Sequence, residues 1–497
     1  SGMTQTDTDV LIIGAGLSGI GAAVHLNREC PDRSYRIIEA RDAIGGTWDL
    51  FRYPGIRSDS DMYTLGYNFK PWTDAKAIAD GPNIRKYVRE TAHENGITDK
   101  IQFNTKVVAA DWSSADHLWN VTLDHGGTTE RTTCRFLFLC GGYYSYDKPF
   151  RPDFPNEADF KGQIIHPQLW PENLDYTGKK VVIIGSGATA VTLVPAMTDK
   201  AAHVTMLQRS PSYVVSRPAV DKFATFLRKI LPESWAYNII RWRNVTMGQF
   251  FYNQTQTKPE KVREQLLGMV RKELGPDYDV EKHFTPSYKP WEQRLCLVPD
   301  SDLFEAIKSG KADVATDHIE SFTADGIRLK SGETLEADIV VSATGLNLQY
   351  MNGIDASIDG KPIHAGELLN YKGVMLSNVP NMALTFGYTN ASWTLKADLT
   401  SEYVCRVLNH MTETGTTSVM PRLDHFPAET DPFVVNFSSG YFARALDSLP
   451  RQHKEKPWKL NMNYREDMKN LRKAPIEDGV LTFSADPEPA VILQAAE

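Results

Sequence analysis

The chain is poor in cysteine, and its few cysteines are scattered. The five positions are Cys30, Cys134, Cys140, Cys296 and Cys405, and no two of them form a C-x-x-C arrangement. Enzymes that pass electrons to a disulfide and proteins that bind structural zinc both use closely spaced thiols. The spacing argues against disulfide redox chemistry and against a bound metal, and it is typical of a protein from a reducing cytoplasm.

The chain also lacks an excess of positive charge and lacks long apolar runs. Its 54 lysines and arginines are outnumbered by 62 aspartates and glutamates, which gives a net charge of -8. We therefore expect no nucleic-acid partner. No uninterrupted apolar run approaches the roughly 18 to 20 residues that a membrane span needs. The first residues, SGMTQTDTDV, lack the basic region and apolar core of a secretory signal, so we expect a cytoplasmic protein.

What the chain does contain is a glycine-rich turn between a predicted strand and a predicted helix. The strand is the apolar run DVLII at residues 9–13, and GAGLSG follows it. In a βαβ dinucleotide-binding unit, Gly14 would allow the tight turn, Gly16 would let the backbone approach a pyrophosphate, and Gly19 would permit close packing of helix on strand. Glu39, at the end of the next predicted strand, is placed to accept hydrogen bonds from ribose hydroxyls.

The same pattern occurs a second time. The stretch KKVVIIGSGATAV carries Gly185 and Gly187 at the turn, with Ala190 in the place of the third glycine. Its next predicted strand ends in Gln208, where the first copy has a glutamate, and Arg209 and Ser210 follow directly. Without a carboxylate to repel a phosphate, Arg209 is suited to binding the 2′-phosphate of NADPH; the alternative is a solvated surface arginine.

Two dinucleotide sites in one chain of 497 residues indicate two nucleotides that exchange electrons. FAD and NADPH are the pair that this arrangement favours, with hydride passing from the nicotinamide to the flavin. The flavin could then pass electrons to a disulfide, to a partner protein or to oxygen. The missing C-x-x-C argues against the first of these destinations.

A motif between the two glycine-rich units points to oxygen. Phe160, Gly162, His166, Trp170 and Pro171 match the pattern F-x-G-x-x-x-H-x-x-x-W-P. This pattern resembles the fingerprint of the Baeyer-Villiger monooxygenases, whereas the flavin-containing monooxygenases and N-hydroxylases usually lack its final Trp-Pro. From the residues alone, the histidine and tryptophan are packing residues of a linker. The resemblance implies that His166 couples the two nucleotide-binding halves and does not transfer protons.

Two further segments resemble that family. In GGTWDLFRYPGIRSDSD, the resemblance places Gly46, Thr47 and Trp48 beside the flavin and Asp59 at the family's acid position; from the sequence alone, Asp59 is a turn residue. In PWEQRLCLVPDSDLF, the residue that matches the catalytic arginine is Arg294. Many members have a lysine before that arginine, but here the residue is Gln293, which shifts NADPH selectivity onto the arginine and serine of the second glycine-rich unit.

The resemblance implies a reaction as well. NADPH would reduce FAD, oxygen would add at the flavin C4a, and the peroxyflavin would convert a ketone to an ester, with Arg294 stabilising negative charge and Asp59 orienting the guanidinium. The C-terminal stretches resemble mycobacterial members of the family that also oxidise sulfide or thioamide sulfur. Two alternatives stay open, a heteroatom oxygenase of the flavin-containing monooxygenase type and an NADPH-dependent flavin reductase.

The predicted fold is α/β, with two Rossmann-like dinucleotide-binding domains for FAD and NADPH and a helical insertion. Residues 221–288 show apolar residues at helical spacing with charges between them. Core packing is the interpretation that we favour for this region, although its basic amphipathic pattern with Trp235 and Trp242 is also compatible with peripheral membrane association. The predicted boundaries are 1–145 for the first part of the FAD domain, 146–218 and 291–370 for the two parts of the NADPH domain, 219–290 for the insertion, and 371–497 for the second part of the FAD domain.

Overall fold

The structure of the chain is a computed structural model. It describes residues 6–142, 150–291, 295–345, 349–388, 392–433 and 446–486. Within these ranges the chain forms two large β-sheets, several small ones, and helices that cover the sheets. The predicted α/β class is confirmed.

The first large sheet has nine strands within the described ranges and contains the first glycine-rich unit. Its central strand is Thr8–Ile13, whose last four residues are buried, as expected for a parallel strand covered on both faces. In spatial order the strands are Lys361–Pro362, Asp355–Ile358, Lys106–Ser113, Leu118–His125, Thr128–Leu139, Thr8–Ile13, Tyr35–Ile38 and Ile101–Gln102, with Met382–Leu384 also paired to Thr128–Leu139.

The second large sheet is parallel throughout and contains the second glycine-rich unit. In the part of the chain that the structure describes, it has five strands, in the order Ala312–Thr316, His203–Gln208, Lys180–Ile184, Ile339–Ser342 and Gln163–Ile165. One face packs on helices and forms one apolar core, and the other face packs on a small antiparallel sheet. The smaller sheets consist of Ile319–Thr323, Gly326–Leu329 and Thr334–Glu336; Val214–Arg217 and Cys296–Pro299; Asn370–Tyr371 and Met375–Leu376; Ser418–Pro421 and Leu481–Ser484; and Asp431–Pro432 and Arg451–Gln452.

Helices of several lengths alternate with these strands along the chain. The α-helices are Leu17–Glu29, Thr47–Leu50, Met62–Leu65, Gly81–Glu94, Ala188–Met197, Lys222–Ile230, Glu233–Thr257, Pro259–Leu274, Val280–His283, Asp302–Lys308, Trp393–Thr414 and Tyr464–Met468. Short 3-10 turns occur at Thr98–Lys100, Glu157–Asp159, Pro167–Leu169, Tyr350–Gly353, Ala365–Glu367 and Leu446–Ser448, and a π-helical turn at Lys469–Lys473. Both helices that begin at a glycine-rich turn, Leu17–Glu29 and Ala188–Met197, have their inner faces buried against a sheet.

Strand pairing bears on where the last predicted boundary should lie. Strands Asp355–Ile358 and Lys361–Pro362 fall inside the segment 291–370 that we assigned to the NADPH domain. The first of them pairs in parallel with Lys106–Ser113 of the first sheet, and the second pairs with the first. This pairing, which the local sequence does not specify, therefore favours a boundary between the NADPH domain and the second part of the FAD domain near residue 350 instead of residue 370. The division into domains remains a proposal.

The four helices between residues 222 and 283 lie in the stretch where the sequence predicted helices. Their packing differs from the expectation in one respect. Ala236, Tyr237 and Ile240 are buried, as core packing requires, but Trp235 and Trp242 are 64% and 68% exposed. The favoured core-packing role is therefore wrong for these two tryptophans, because they lie on the side of the helix that faces away from the sheets.

Candidate active site

The first glycine-rich turn is fixed by close backbone approaches. Gly14 has a φ of +106°, and a Cβ there would lie 2.8 Å from the carbonyl oxygen of Cys140. A Cβ at Gly19 would lie 1.7 Å from the carbonyl oxygen of Gly14. Neither position has room for a side chain, so both glycines are needed to form the turn and to seat the helix on the strand.

The second glycine of this turn has a different surrounding. A Cβ at Gly16 would lie 3.3 Å from the Cα of Gly46, which belongs to the GGTW segment. The two segments are also joined by the N-H of Gly45, which donates to the carbonyl oxygen of Ala15 at 3.0 Å. Gly46 precedes the short helix Thr47–Leu50. The residues that the sequence predicted beside a flavin are therefore brought against the first fingerprint.

Glu39 lies at the end of the second strand, as predicted, and is only 5% exposed. The N-H of Ala15 donates to its Oε1 and the N-H of Arg41 donates to its Oε2, both at 3.0 Å. These two bonds hold the carboxylate at the edge of the turn. Each carboxylate oxygen has a second acceptor position, so the group retains the capacity to accept a hydrogen bond from a ribose hydroxyl.

The second glycine-rich turn repeats this geometry with one informative difference. Gly185 has a φ of +135°, and a Cβ there would lie 2.3 Å from the carbonyl oxygen of Ala343. Ala190, in the third position, is fully buried. A Cβ at Gly187 would meet no described atom within 4 Å, so packing within the chain does not require a glycine there. Room for a ligand beside the backbone is the reason that the dinucleotide fingerprint gives for that glycine.

At the end of the next strand, His203–Gln208, two neighbouring side chains point to different surroundings. Gln208 is buried, and its Nε2 donates to the carbonyl oxygen of His283 at 2.7 Å and to the hydroxyl of Thr316 at 2.8 Å. It therefore serves the packing of the second sheet. Arg209 and Ser210 are exposed, and the backbone oxygen of Ser210 accepts a hydrogen bond from Ser186 of the glycine-rich turn at 3.0 Å.

The first glycine-rich turn and the first residues of the helix that follows the second turn line one cleft of about 410 Å³. Its walls come from both halves of the chain. They include the first fingerprint, the segment 45–60 and the residues that directly follow strands Tyr35–Ile38 and Thr128–Leu139. The first residues of helices Ala188–Met197 and Trp393–Thr414 complete them. The wall includes Gly14, Gly16, Glu39, Gly46, Thr47, Trp48, Tyr53, Arg57, Asp59, Ser60, Thr189, Leu297, Tyr388 and Trp393.

Asp59 lies at the junction between the two halves of the cleft. It interacts electrostatically with Tyr53, whose pKa is raised to about 12 mainly because its ring is buried. The hydroxyl of Tyr53 also interacts with Thr189, which follows the second glycine-rich turn, and with Arg57. The loop that carries Tyr53, Arg57 and Asp59 packs closely on helix Ala188–Met197, because a Cβ at Gly55 would lie 2.6 Å from the Cβ of Ala196.

The structure adds one charged residue that the sequence reasoning did not single out. Arg57 lines the cleft two residues before Asp59, and its Nη1 donates to Oδ2 of Asp302. Asp302 begins the helix Asp302–Lys308 in the second half of the chain, and burial raises the pKa of its carboxyl. The pair joins the segment 51–60 to that helix. The motif RSDSD, which contains Arg57, was the available signal for it.

The cleft has polar atoms that fit a bound cofactor. Nη2 of Arg57 and Oγ of Ser60 are buried, and neither has a hydrogen-bond partner within the described ranges. A buried polar atom without a partner costs about 1 to 3 kcal/mol. Together with the glycine cradle and the glutamate at the strand end, these two donors match a flavin nucleotide in the first half of the cleft and a nicotinamide nucleotide reaching it from the second.

The predicted linker motif lies next to the second sheet. Phe160 packs edge-on against Phe322, and a Cβ at Gly162 would lie 2.3 Å from the carbonyl oxygen of Asp338. Trp170 is half-buried against the core of the second sheet and is not part of the cleft wall. These three residues pack the connection between the halves, in agreement with the packing interpretation.

His166 is the polar centre of that linker. Its Nε2 donates to the carbonyl oxygen of Phe150 at 3.0 Å, and its Nδ1 accepts the N-H of Gln168 at 3.1 Å. Burial lowers the pKa of its imidazole below the ordinary histidine value. The ring is therefore neutral and held by backbone on both sides, which supports a structural role and not proton transfer.

The predicted catalytic arginine, Arg294, and its neighbour Gln293 lie outside the described residues. Leu297, three residues further along, lines the cleft. Within the described ranges no group of three or more histidine, cysteine, aspartate or glutamate side chains is arranged to hold a metal ion. In the same ranges, no helix combines the length and the apolar character that crossing a membrane requires.

Two glycine-rich dinucleotide folds that share one cleft define a flavoprotein of the two-nucleotide type. The comparison with protein families is more specific. Residues 7–423 match the model of the flavin-binding monooxygenase-like family, and the chain belongs to that family. The prediction of a flavin monooxygenase is confirmed.

Curated relatives are similar over nearly the whole chain. It is 54% identical to the FAD-containing monooxygenase EthA of Mycobacterium tuberculosis, covering 97% of this chain and 98% of the relative. It is 52% identical to the probable FAD-binding monooxygenase AlmA of an Acinetobacter species, over 96% of this chain and 97% of the relative. These likenesses confirm the resemblance on which the sequence prediction rested.

Solved structures share the fold. A crystal structure of OTEMO in complex with FAD and NADP matches with a TM-score of 0.70 and 24% identity, covering 84% of this chain and 87% of that one. An open crystal structure of cyclohexanone monooxygenase matches with a TM-score of 0.71 and 21% identity, covering 83% and 89% of the two chains. The two-domain α/β architecture is therefore that of these monooxygenases.

Proposed function

We propose that this chain is a Baeyer-Villiger monooxygenase that uses FAD, NADPH and molecular oxygen to convert ketones to esters, and that it also oxidises sulfides or thioamides. The observation that carries the proposal is a single cleft lined both by the first glycine-rich turn and by the start of helix Ala188–Met197, which follows the second turn. Similarity to relatives whose names state an FAD-containing monooxygenase supports it. So does the shared fold with cyclohexanone monooxygenase.

FAD, once reduced by NADPH, supplies the activated oxygen atom, and the first half of the cleft would hold it. Helix Leu17–Glu29 begins after Gly16, so its first N-H groups point toward the cleft and would bind the pyrophosphate. Glu39 would accept from the adenosine ribose, and Trp48 would lie against the flavin ring. The position of each of these residues on the cleft wall supports the proposed roles.

NADPH would bind to the second half of the cleft. Its pyrophosphate would approach the backbone at Gly187, where no described side chain occupies the space. Arg209 and Ser210, both exposed at the end of the second strand, would bind the 2′-phosphate. Because Gln208 is buried and hydrogen-bonded inward, it presents neither a carboxylate nor an amide to that phosphate.

The reacting end of the cleft needs a fixed positive charge. Negative charge develops on the carbonyl oxygen of a ketone when it is attacked, and a guanidinium beside it stabilises the transition state. The resemblance assigns this task to Arg294, and Asp59 would orient that side chain. Charge-assisted hydrogen bonds of this kind contribute about 1.5 to 3 kcal/mol. Arg57, anchored by Asp302, adds a second positive charge at the same junction.

The decisive experiment follows oxygen into the product. With NADPH, oxygen labelled in both atoms and 2-octanone, the enzyme should form an ester that carries one labelled atom between the carbonyl and the migrating carbon. Arg294→Ala should still oxidise NADPH but should make little ester and release hydrogen peroxide instead. Arg328→Ala, which changes an exposed arginine in the small antiparallel sheet, is the matched control and should behave as the parent.

Other outcomes would select a different function. Unlabelled ester, or an Arg294→Ala enzyme that makes ester at the parent rate, would contradict the proposed mechanism. Oxidation of sulfides without any reaction of ketones would identify a heteroatom oxygenase, the alternative that the general description of the family also fits. NADPH oxidation without oxygen transfer to either class of substrate would indicate a flavin reductase.

A further inference from the structure

Two consecutive helices carry large apolar side chains on their outer side. On Lys222–Ile230 the exposed residues are Phe223, Phe226 and Ile230, and on Glu233–Thr257 they are Trp235, Ile239, Trp242, Met247 and Phe250. The exposed fractions reach 68% at Trp242 and 65% at Phe250. We call these eight residues the outer apolar face. Isolated exposed apolar residues are ordinary on a protein surface, but a set of this size on two consecutive helices that contact each other marks an interaction site.

The spacing shows that each helix contributes one stripe. Phe223, Phe226 and Ile230 are spaced i, i+3 and i+7, and the first three residues of the second helix follow i, i+4 and i+7. Such spacings place side chains on one side of a helix. The opposite sides are buried, with Leu227 in the first helix and Ile240 in the second as examples. Both helices therefore have one apolar side that packs on the protein and a second apolar side that is exposed to solvent.

The second helix is firmly attached to the rest of the chain. Arg241 is buried, and its Nη1 donates to the carbonyl oxygens of Tyr63 at 2.9 Å and Gly66 at 2.6 Å. The hydroxyl of Tyr237 donates to the carbonyl oxygen of Tyr67 at 2.7 Å. The helix is thus held in one orientation, and the outer apolar face is a defined feature of the fold.

The charge of this region is opposite to that of the chain as a whole. Residues 221–257 contain five basic and two acidic side chains, whereas the chain carries a net charge of -8. Of the five, Arg241 is buried and Arg243 is paired with Asp221, so the surface charge comes from the other three. Lys222 and Lys229 are exposed, and neither has an ion-pair partner in the part of the chain that the structure describes. They are seven residues apart, so both lie along the same edge of the apolar stripe of their helix. An anionic surface is the complement of this arrangement.

The geometry points to docking of the outer apolar face on an anionic lipid bilayer. Amphipathic helices with tryptophan and phenylalanine on the apolar side and lysines at its edge lie in the membrane interface. A second copy of the chain is the less favoured occupant, since protein interfaces are depleted in lysine and pairing would bring the same positive charges together. Docking of this kind does not depend on the proposed reaction.

The docked surface would lie close to the cleft. Helix Glu233–Thr257 contacts helix Met62–Leu65, and Nδ2 of Asn244 donates to Oδ1 of Asp61 at 2.9 Å. The segment immediately before Asp61 lines the cleft through Asp59 and Ser60. A membrane bound to the outer face would therefore be one layer of structure away from the site, and it would act as a reservoir for apolar substrates.

Vesicle sedimentation tests the proposal with the flavin-loaded full chain. The parent should sediment with phosphatidylcholine vesicles that contain phosphatidylglycerol, and it should bind more weakly to pure phosphatidylcholine or at high salt. The variants Trp235→Ser with Trp242→Ser, and Lys222→Glu with Lys229→Glu, should each lose at least about tenfold in affinity for the anionic vesicles. Leu169→Ser, at a 62% exposed leucine of the linker, is the matched control and should bind as the parent.

Unchanged flavin content and melting temperature would show that the variants are folded. Absence of parent binding, or double variants that bind as the parent does, would overturn the proposal. Sedimentation velocity distinguishes the other occupant. If the parent is a dimer that does not bind vesicles, and the double tryptophan variant is a monomer, then the outer apolar face pairs two copies of the chain and the lipid proposal is wrong.

Discussion

At the residue scale, Gly16 and Gly187 hold the same place in two fingerprints but have different neighbours. A Cβ at Gly16 would lie 3.3 Å from the Cα of Gly46, whereas a Cβ at Gly187 would meet no described atom within 4 Å. The first glycine is constrained by the chain and by the proposed flavin site, and the second only by a ligand. Replacing each with the same residue therefore separates the two nucleotide sites.

Gly16→Val should lower the flavin content of the purified protein well below one per chain, because the side chain blocks backbone approach to the pyrophosphate. Gly187→Val should keep its flavin and its melting temperature but raise the KM for NADPH about tenfold or more. Flavin absorbance after desalting and steady-state kinetics measure both effects. A fully flavinated Gly16→Val protein would show that the first site is misassigned.

Arg209 provides the second test at this scale. Arg209→Ala should weaken NADPH binding about tenfold or more, since each 1.4 kcal/mol corresponds to about tenfold, and should leave the use of NADH nearly unchanged. Arg328→Ala, at another exposed arginine of the same half of the chain, should change neither. Equal losses with NADPH and NADH would count against a contact with the 2′-phosphate.

At the scale of elements, the linker between the two glycine-rich units contains a buried histidine, His166, whose ring is held by backbone groups of the linker itself. The pKa of this imidazole is lowered by burial, so the unfolded chain takes up a proton at a higher pH than the folded chain does. The stabilising contribution of the neutral ring is present above about pH 6.5, the ordinary histidine value, and is lost as the pH falls through the lowered pKa. Protonation would also remove the Nδ1 acceptor that receives the N-H of Gln168.

The parent should therefore lose more thermal stability than His166→Gln when the pH is lowered below about 6.5. Glutamine can keep a donor toward the carbonyl oxygen of Phe150 but does not titrate. The comparison is made by measuring the melting temperature of both proteins across the acidic range. Above neutrality, the melting temperatures of the two proteins should change with pH in the same way. Parallel curves for parent and variant would mean that the histidine is not the titrating group.

At the scale of the whole molecule, a buried polar network holds together helices from distant parts of the sequence. Asp398 accepts from His25 at 2.9 Å and from the N-H of Asn68 at 2.8 Å, and it lies 3.5 Å from the guanidinium of Arg241. Helices Leu17–Glu29, Glu233–Thr257 and Trp393–Thr414 meet at this carboxylate. The proposed flavin site is built on the first and last of them, so flavin binding should be linked to global stability.

Removal of FAD should lower the melting temperature by several degrees, and adding it back should restore it. A ligand at about 100 times its Kd stabilises the folded state by about 2.7 kcal/mol. The buried donors on Arg57 and Ser60 would gain partners at the same time. Gly16→Val should show no such rise. If parent apoprotein and holoprotein melt at the same temperature, the cofactor does not bind at this cleft.

The sequence by itself determined the parts of the protein that depend on local backbone geometry. Gly14 and Gly185 need positive φ values, and Gly19 must let a helix approach a strand, so the two nucleotide-binding units could be read directly from the residues. The residues alone indicated that His166 packs in the linker between those units, and the family resemblance added that it does not transfer protons. The positive φ values and the contact of Gly19 with Gly14 involve only residues that are close in the chain, whereas the contacts of Gly14 with Cys140 and of Gly185 with Ala343 do not.

Tertiary structure alone decided the features that depend on distant segments. Gln208 and Arg209 are adjacent, yet one is buried against a strand more than a hundred residues away and the other is exposed. The contact of Arg57 with Asp302 and the exposure of Trp242 likewise depend on how the sheets and helices are placed. The physical reason is that burial and charge pairing are set by packing between elements, and helical periodicity predicts an apolar face without saying what that face contacts.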